Sequence, residues 1–198
     1  TSATIVVQKE EFFEEEATLY KNLIYYDKIK TVLLYKKGWE ISDPVIRLNS
    51  EETLELRFDE IDGDITAYQY KIIHCNADWT QSSLTSMDYI NGFEENYIEN
   101  NKYSFNSYQS FVHYWMEFPN ENIQLTKSGN YIISVYPEGK SQYPVLTQKF
   151  YVTENSMRIV PKIKYPANLD YKYYRQEVDF TLSYDKMEVI NPYSNIKV

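Results

Sequence analysis

Cysteine is nearly absent from this 198-residue chain: Cys75 stands alone. A single thiol cannot close an intramolecular disulfide, so a disulfide-stapled fold and a multi-cysteine zinc site are both excluded. Glycine is scarce as well, with five residues. No Gly-x-Gly-x-x-Gly, phosphate loop or Gly-x-Ser-x-Gly elbow occurs, so little is left to cradle a phosphate. Histidine is limited to His74 and His113, with no His-Glu-x-x-His pair. Basic residues are outnumbered, 20 against 29 acidic ones, for a formal charge of −9. Nucleic-acid binding needs a cationic footprint that this balance does not supply. The acidic runs Glu14–Glu16 and Glu51–Glu52 would also be repelled by an anionic membrane surface. No run approaches the roughly 18 apolar residues of a spanning helix. Thr1-Ser2-Ala3-Thr4 lacks the charged and apolar regions of a signal peptide, which fits a cytoplasmic chain or one whose signal has been removed.

What is abundant is aromatic: 21 Tyr, 9 Phe and 3 Trp make up 17% of the residues. At 43% hydrophobic and 25% charged the composition is that of a globular protein. The length allows one large or two small domains. From residue 29 onward the pattern is β. Strands are expected over Ile29–Tyr35, Pro44–Leu48, Thr53–Phe58, Ala67–His74, Phe111–Phe118, Gly129–Tyr136, Val145–Val152, Arg158–Lys164 and Val178–Tyr184. Leu54, Leu56 and Phe58 alternate with Glu55 and Arg57, as in a strand with one face in water. Asp62-Gly63-Asp64 reads as a hairpin turn. Many short strands with almost no helical period predict an all-β, antiparallel sandwich. Gly129-Asn130-Tyr131 before an alternating strand looks like the tyrosine corner of immunoglobulin-like sandwiches, in which the phenol bonds back to a neighbouring connection.

Residues 1–28 stand apart. Phe13, Ala17, Tyr20 and Ile24 would share one helical face, with the acidic cluster near a helix start, or the segment is a loosely ordered acidic arm. A boundary is expected near Thr153–Met157, giving a sandwich over 29–155 and a second set of strands over 156–198. A second sandwich cannot be completed in roughly forty residues, so the chain is expected to be part of a longer protein.

No constellation argues for catalysis. His74 and Cys75 are adjacent on a strand and point to opposite faces, so they do not form a nucleophile–base pair. Asn76 and Asp78 read as turn caps and Cys75 as a small core residue. Asp59, Asp62 and Asp64 have the wrong spacing for a calcium loop, whose twelfth position would be Tyr70. No catalytic, cofactor or metal residue is expected. The segment 76–110 carries Trp79, Tyr89, Phe93, Tyr97, Tyr103, Phe105 and Tyr108 among many Asn and Ser, with weak periodicity. Such a segment either covers the open end of the core or meets a partner. Trp79, Tyr89, Phe93, Tyr97 and Tyr103 are the candidate contacts.

Several phrases, in order, resemble the Plug protein family of the bacterial type IX secretion system. They are Ile29-Lys30-Thr31-Val32, Gly38-Trp39-Glu40-Ile41-Ser42-x-Pro44, Phe58-Asp59-Glu60-x-Asp62-Gly63-Asp64 and Ile73-His74-Cys75-Asn76-Ala77-Asp78-Trp79. Tyr89-x-x-Gly92-Phe93, Tyr103-Ser104-Phe105-Asn106, Phe118-Pro119-Asn120, Ser128-Gly129-Asn130-Tyr131 and Pro144-Val145-Leu146-Thr147 follow. The resemblance runs from about residue 22 to 152, and the hexapeptide His74–Trp79 is its most specific piece. It implies an exported, mainly β protein with an immunoglobulin-like N-terminal region, acting as a non-enzymatic gate. Such a gate sits in the periplasm against an outer-membrane translocon barrel and seals its pore. Two other readings come from the residues: a carbohydrate-binding sandwich with exposed aromatic platforms, and a hydrolase using Cys75 or His74 with His113.

Overall fold

A computed structural model describes residues 20–183 together with Ile190, Asn191 and Ile196. The chain divides into two compact units between Thr153 and Glu154. The first contains β1 (Leu23–Ile24), β2 (Ile29–Lys36), β3 (Val45–Arg47), β4 (Leu54–Ile61), β5 (Tyr68–Cys75), the one-turn helix α1 (Ser86–Tyr89), β6 (Ile90–Gly92), β7 (Glu95–Tyr97), β8 (Asn100–Tyr103), β9 (Phe111–Phe118), β10 (Ile123–Leu125), β11 (Gly129–Pro137) and β12 (Leu146–Thr153). One sheet has the order β2-β4-β9-β8. The other runs β1-β12-β11-β5-β7, with β3 also beside β12, and β6 and β10 form a separate ribbon. Among the described residues, pairing in this unit is antiparallel except for β3 with β12. With β2, β4, β9 and β8 as strands A, B, E and D, and β12, β11, β5 and β7 as G, F, C and C′, this is the strand order of an immunoglobulin-like sandwich.

Period-two alternation builds the core. Leu54, Leu56 and Phe58 are fully buried on the inner face of β4, facing residues from the opposite sheet. Much of the aromatic content lies here: Phe58 stacks on Tyr114 at 5.0 Å, and Tyr68 meets both rings edge-on. Tyr131 stacks on Phe150 at 5.2 Å. Such pairs add about 0.5–1.5 kcal/mol each beyond the area they bury. The outer face of β4 is less wet than its alternation predicts. Glu55 is buried beside Arg57, whose guanidinium lies over the Tyr35 ring.

The tyrosine corner is present. Tyr131 is fully buried and its Oη donates to the Lys127 carbonyl at 2.8 Å, tying the start of β11 to the connection before it.

Three expectations need correction. Asp62-Gly63-Asp64 is not a hairpin turn, because β4 and β5 belong to different sheets and residues 62–67 cross between them. Asp62 supplies the positive φ, 54°, and its N–H donates to the Ser110 carbonyl. The segment 76–110, read as one long connection of weak periodicity, contains α1 and three short strands, each too short to show a period. Of the proposed helical face, Phe13 and Ala17 lie outside the described residues, and Ile24 is in a strand paired with Leu146. There the backbone is drawn into the β12 edge, where Thr147 Oγ1 donates to the Lys21 carbonyl.

The second unit contains β13 (Arg158–Lys164) and β14 (Glu177–Ser183), an antiparallel pair joined across a 3-10 turn at Leu169–Tyr171. Lys164 Nζ pairs with Glu177 and Asp179 at 3.0 and 2.8 Å. Tyr184, expected in the last strand, lies outside the described residues.

Candidate interaction surface

The sandwich separates the candidate contacts onto its two ends. Trp79 follows the end of β5, whereas Tyr97 is opposite Gln69 near its start. Seven steps of a strand span roughly 23 Å. Tyr103, opposite Val112 at the start of β9, is on the Tyr97 end. Tyr97 Oη also donates to Glu138, just past the end of β11.

Trp79 is half-buried. Its ring meets Tyr151 edge-on at 5.4 Å, and Lys149 Nζ sits 3.9 Å from its centroid. Both partners are on β12, so Trp79 is held against the sheet. Tyr89 leaves the set of candidate contacts: it is 6% exposed, its Oη donates to the Ile72 carbonyl, and its ring packs against His74 and Tyr131. The aromatic at the end of α1 covers the core because the connection folds back over it. Phe93 and Tyr97 are exposed and line a cleft of about 550 Å³ with Glu95, Asn96, Glu99 and Asn120. Carboxylates and amides can hold a polar or cationic group there, but no thiol or imidazole lines the cleft.

Two residues outside the chosen set are more exposed than any within it. Phe105 and Tyr108 lie between β8 and β9 with nearly all of their side chains in solvent, and Ile65 and Tyr103 flank them half-exposed. The signal was the uncharged run Ser104-Phe105-Asn106-Ser107-Tyr108-Gln109-Ser110, which lacks the alternation that would bury its aromatics.

Cys75 and His113 are not brought together. Cys75 is buried, and burial pushes its thiol up to about 11, so it is a protonated core residue at neutral pH. Its strand lies in the sheet opposite the one that holds His113. His113 Nδ1 lies 2.6 Å from Asp59 Oδ1, and its ring stacks on Trp115. Among the described residues no three His, Cys, Asp or Glu side chains are grouped to hold a metal ion. Nor is any helix there long and apolar enough to cross a membrane.

The family described as "Type 9 secretion system plug protein 1st domain" matches residues 29–154. The chain belongs to the type 9 secretion system plug family. A hypothetical protein from Parabacteroides merdae, solved by crystallography, is similar with a TM-score of 0.81 and 32% identity. The match covers 87% of this chain and 43% of that one, so this chain spans less than half of the relative's length. Pseudomonas fluorescens alkylpurine DNA glycosylase AlkC bound to DNA containing an abasic site analog aligns with a TM-score of 0.35 and 11% identity, over 63% of this chain and 30% of that one. That likeness is too weak to carry an argument. No curated protein matches the chain.

In this plug domain the motif residues build the fold. Asn76-Ala77-Asp78-Trp79-Thr80 is a self-closed turn: Asn76 N–H donates to the Thr80 carbonyl, Trp79 N–H to the Asn76 carbonyl, and Thr80 N–H to Asp78 Oδ1. Trp79 takes φ 68°, an uncommon value for a bulky residue, and the turn throws its ring back onto β12. Asn130 Nδ2 donates to the Asn76 carbonyl, which fastens the turn to the tyrosine corner. His74 packs edge-on against Tyr131 at 4.9 Å, with Gly129 under its imidazole. Gly38, at φ 83°, turns the chain after β2 and leaves Trp39 largely exposed.

Proposed function

We propose that this chain is the non-enzymatic gate of a type 9 secretion translocon. It sits in the periplasm, peripheral to the outer membrane, and seals the barrel's pore while no cargo is engaged. The observation that carries the reading is family membership across residues 29–154. The physics of the surface agrees with it. A gate must bind and release, which favours polar and aromatic contacts over one large apolar face. Phe93, Tyr97 and Tyr103 remain as candidate contacts of this kind, with Trp79 more restricted. The carbohydrate-binding alternative calls for a row of aromatics on one sheet face. The most exposed aromatics of the sandwich, Phe105 and Tyr108, lie instead in a connection beside polar residues.

The test is purification of the tagged protein from native membranes of a bacterium that carries the secretion system. The expected result is an outer-membrane β-barrel of that system, identified by mass spectrometry, in the eluate. Cells lacking the protein should also admit large antibiotics that intact cells exclude. Purification without any barrel, together with micromolar binding on a glycan array, would overturn the reading.

A further inference from the structure

We infer that one end of the sandwich, built by residues 62–67 and 104–110, is the docking end. There Phe105 and Tyr108 insert as aromatic anchors into an apolar pocket of the translocon barrel whose rim carries cationic or amide donors. This rests on the translocon reading and specifies which surface makes the contact.

Exposure comes first. Phe105 and Tyr108 are 93% and 109% exposed, and Ile65 and Tyr103 add about half of each side chain beside them. Neither Phe105 nor Tyr108 has a ring contact or side-chain hydrogen bond among the described residues. Four apolar side chains at one end form the kind of patch that marks an interaction site.

Rigidity comes second. The tips are exposed, yet the backbone that carries them is fastened. Ser104 N–H donates to the Phe111 carbonyl at 2.8 Å, and Phe111 N–H returns to Ser104 Oγ at 3.0 Å. Ser107 Oγ donates to Ser104 Oγ, and Asn106 takes φ 54° to close the bend. Gln109 Nε2 donates to Asp62 Oδ1, and Asp62 N–H donates to the Ser110 carbonyl. These two bonds join the connections into one body. Residues 62–67 are pinned in turn by two phenols: Ile65 N–H donates to Tyr103 Oη and Thr66 N–H to Tyr114 Oη. A prefastened aromatic loop loses less entropy on binding than a mobile one. Tyr, Ser and Asn around rigid aromatic anchors is also the composition of evolved binding loops.

Charge selects the partner. Segments 62–67 and 104–110 contain two carboxylates, Asp62 and Asp64, and no cation, with Lys28 and Lys102 bordering them. A lipid surface with anionic head groups would be repelled, whereas a pocket rimmed by donors would be attracted. The exposed pair Trp39 and Ile41 follows β2 at the opposite end of the sandwich.

The experiment compares capture of the barrel from a detergent-solubilised outer-membrane fraction by three tagged proteins. These are the wild type, Phe105→Ser/Tyr108→Ser, and the control Trp39→Ser/Ile41→Ser, with native folding checked by circular dichroism melts. Removing two anchors should lower capture by roughly tenfold or more, while the control stays near wild type. A photo-crosslinking residue at position 105 should join the barrel, a readout that holds even if the double variant melts early. Undiminished capture by Phe105→Ser/Tyr108→Ser, or no crosslink from position 105, overturns the inference while leaving the translocon reading standing. Absence of the barrel from the wild-type capture overturns that reading and the inference with it. Binding of the wild type, but not the variant, to protein-free phosphatidylethanolamine–phosphatidylglycerol vesicles also overturns it, in favour of lipid.

Discussion

At Gly129 the backbone takes φ 146°, and a Cβ built there would stand 2.5 Å from His74 Nε2. Alanine at this position therefore meets two costs, a backbone region open mainly to glycine and a collision with a packed ring. His74 has little room to withdraw, because Tyr131 and Tyr89 pack against it. Gly129→Ala is expected to lower stability by about 1–3 kcal/mol, read as a lower urea midpoint with an unchanged slope. In a His74→Ala background the same substitution should cost less, since the collision is gone and the strain remains. An unchanged midpoint in Gly129→Ala would show that the corner tolerates a side chain. His74 belongs to one phrase of the sequence, and Gly129 and Tyr131 to another. Their joint role was not legible there, because it depends on the β5–β11 register that sets Tyr131 opposite His74.

Whole strands were more legible than the links between them. Phe111–Phe118 and Arg158–Lys164 have the expected bounds, and the others of the expected set differ at their ends by one to three residues where described. Long β-branched and aromatic runs signal a strand without any knowledge of its neighbours. The strands β6, β7, β8 and β10 are three or four residues long, shorter than any period can reveal, and their pairing is fixed by the opposite strand. Trp79 shows the same limit. Its motif was conspicuous, but its partners Lys149 and Tyr151 lie some seventy residues on, beyond any local pattern. Their contact can be measured. A double-mutant cycle of Trp79→Ala and Lys149→Ala should give a coupling of about 0.5–1 kcal/mol in unfolding free energy. Strict additivity would mean that the ring and the ammonium do not interact in solution and that the turn alone positions Trp79.

For the molecule as a whole, the tyrosine content sets the response to alkali. Tyr68, Tyr114, Tyr131 and Tyr136 are essentially sealed from solvent. Burial pushes Tyr114 up to about 12 and raises the other three as well, with the Glu60 carboxylate adding to the effect at Tyr68. In the unfolded chain a phenol ionises near 10. Above that pH the unfolded state has released protons that the native state still holds, so stability falls as pH rises. Each such group contributes a slope of about 1.4 kcal/mol per pH unit once the unfolded phenol is ionised, and four together give roughly 5. Against a typical total of about 5–15 kcal/mol, the sandwich should unfold cooperatively between about pH 11 and 13. Exposed phenols such as Tyr108 and Tyr165 ionise first, and the last rise in phenolate absorbance should coincide with loss of far-ultraviolet ellipticity, because the sealed tyrosines ionise only when the sheets part. Complete phenolate formation while the β spectrum remains native would refute this, and would mean that the aromatic core opens to hydroxide without unfolding.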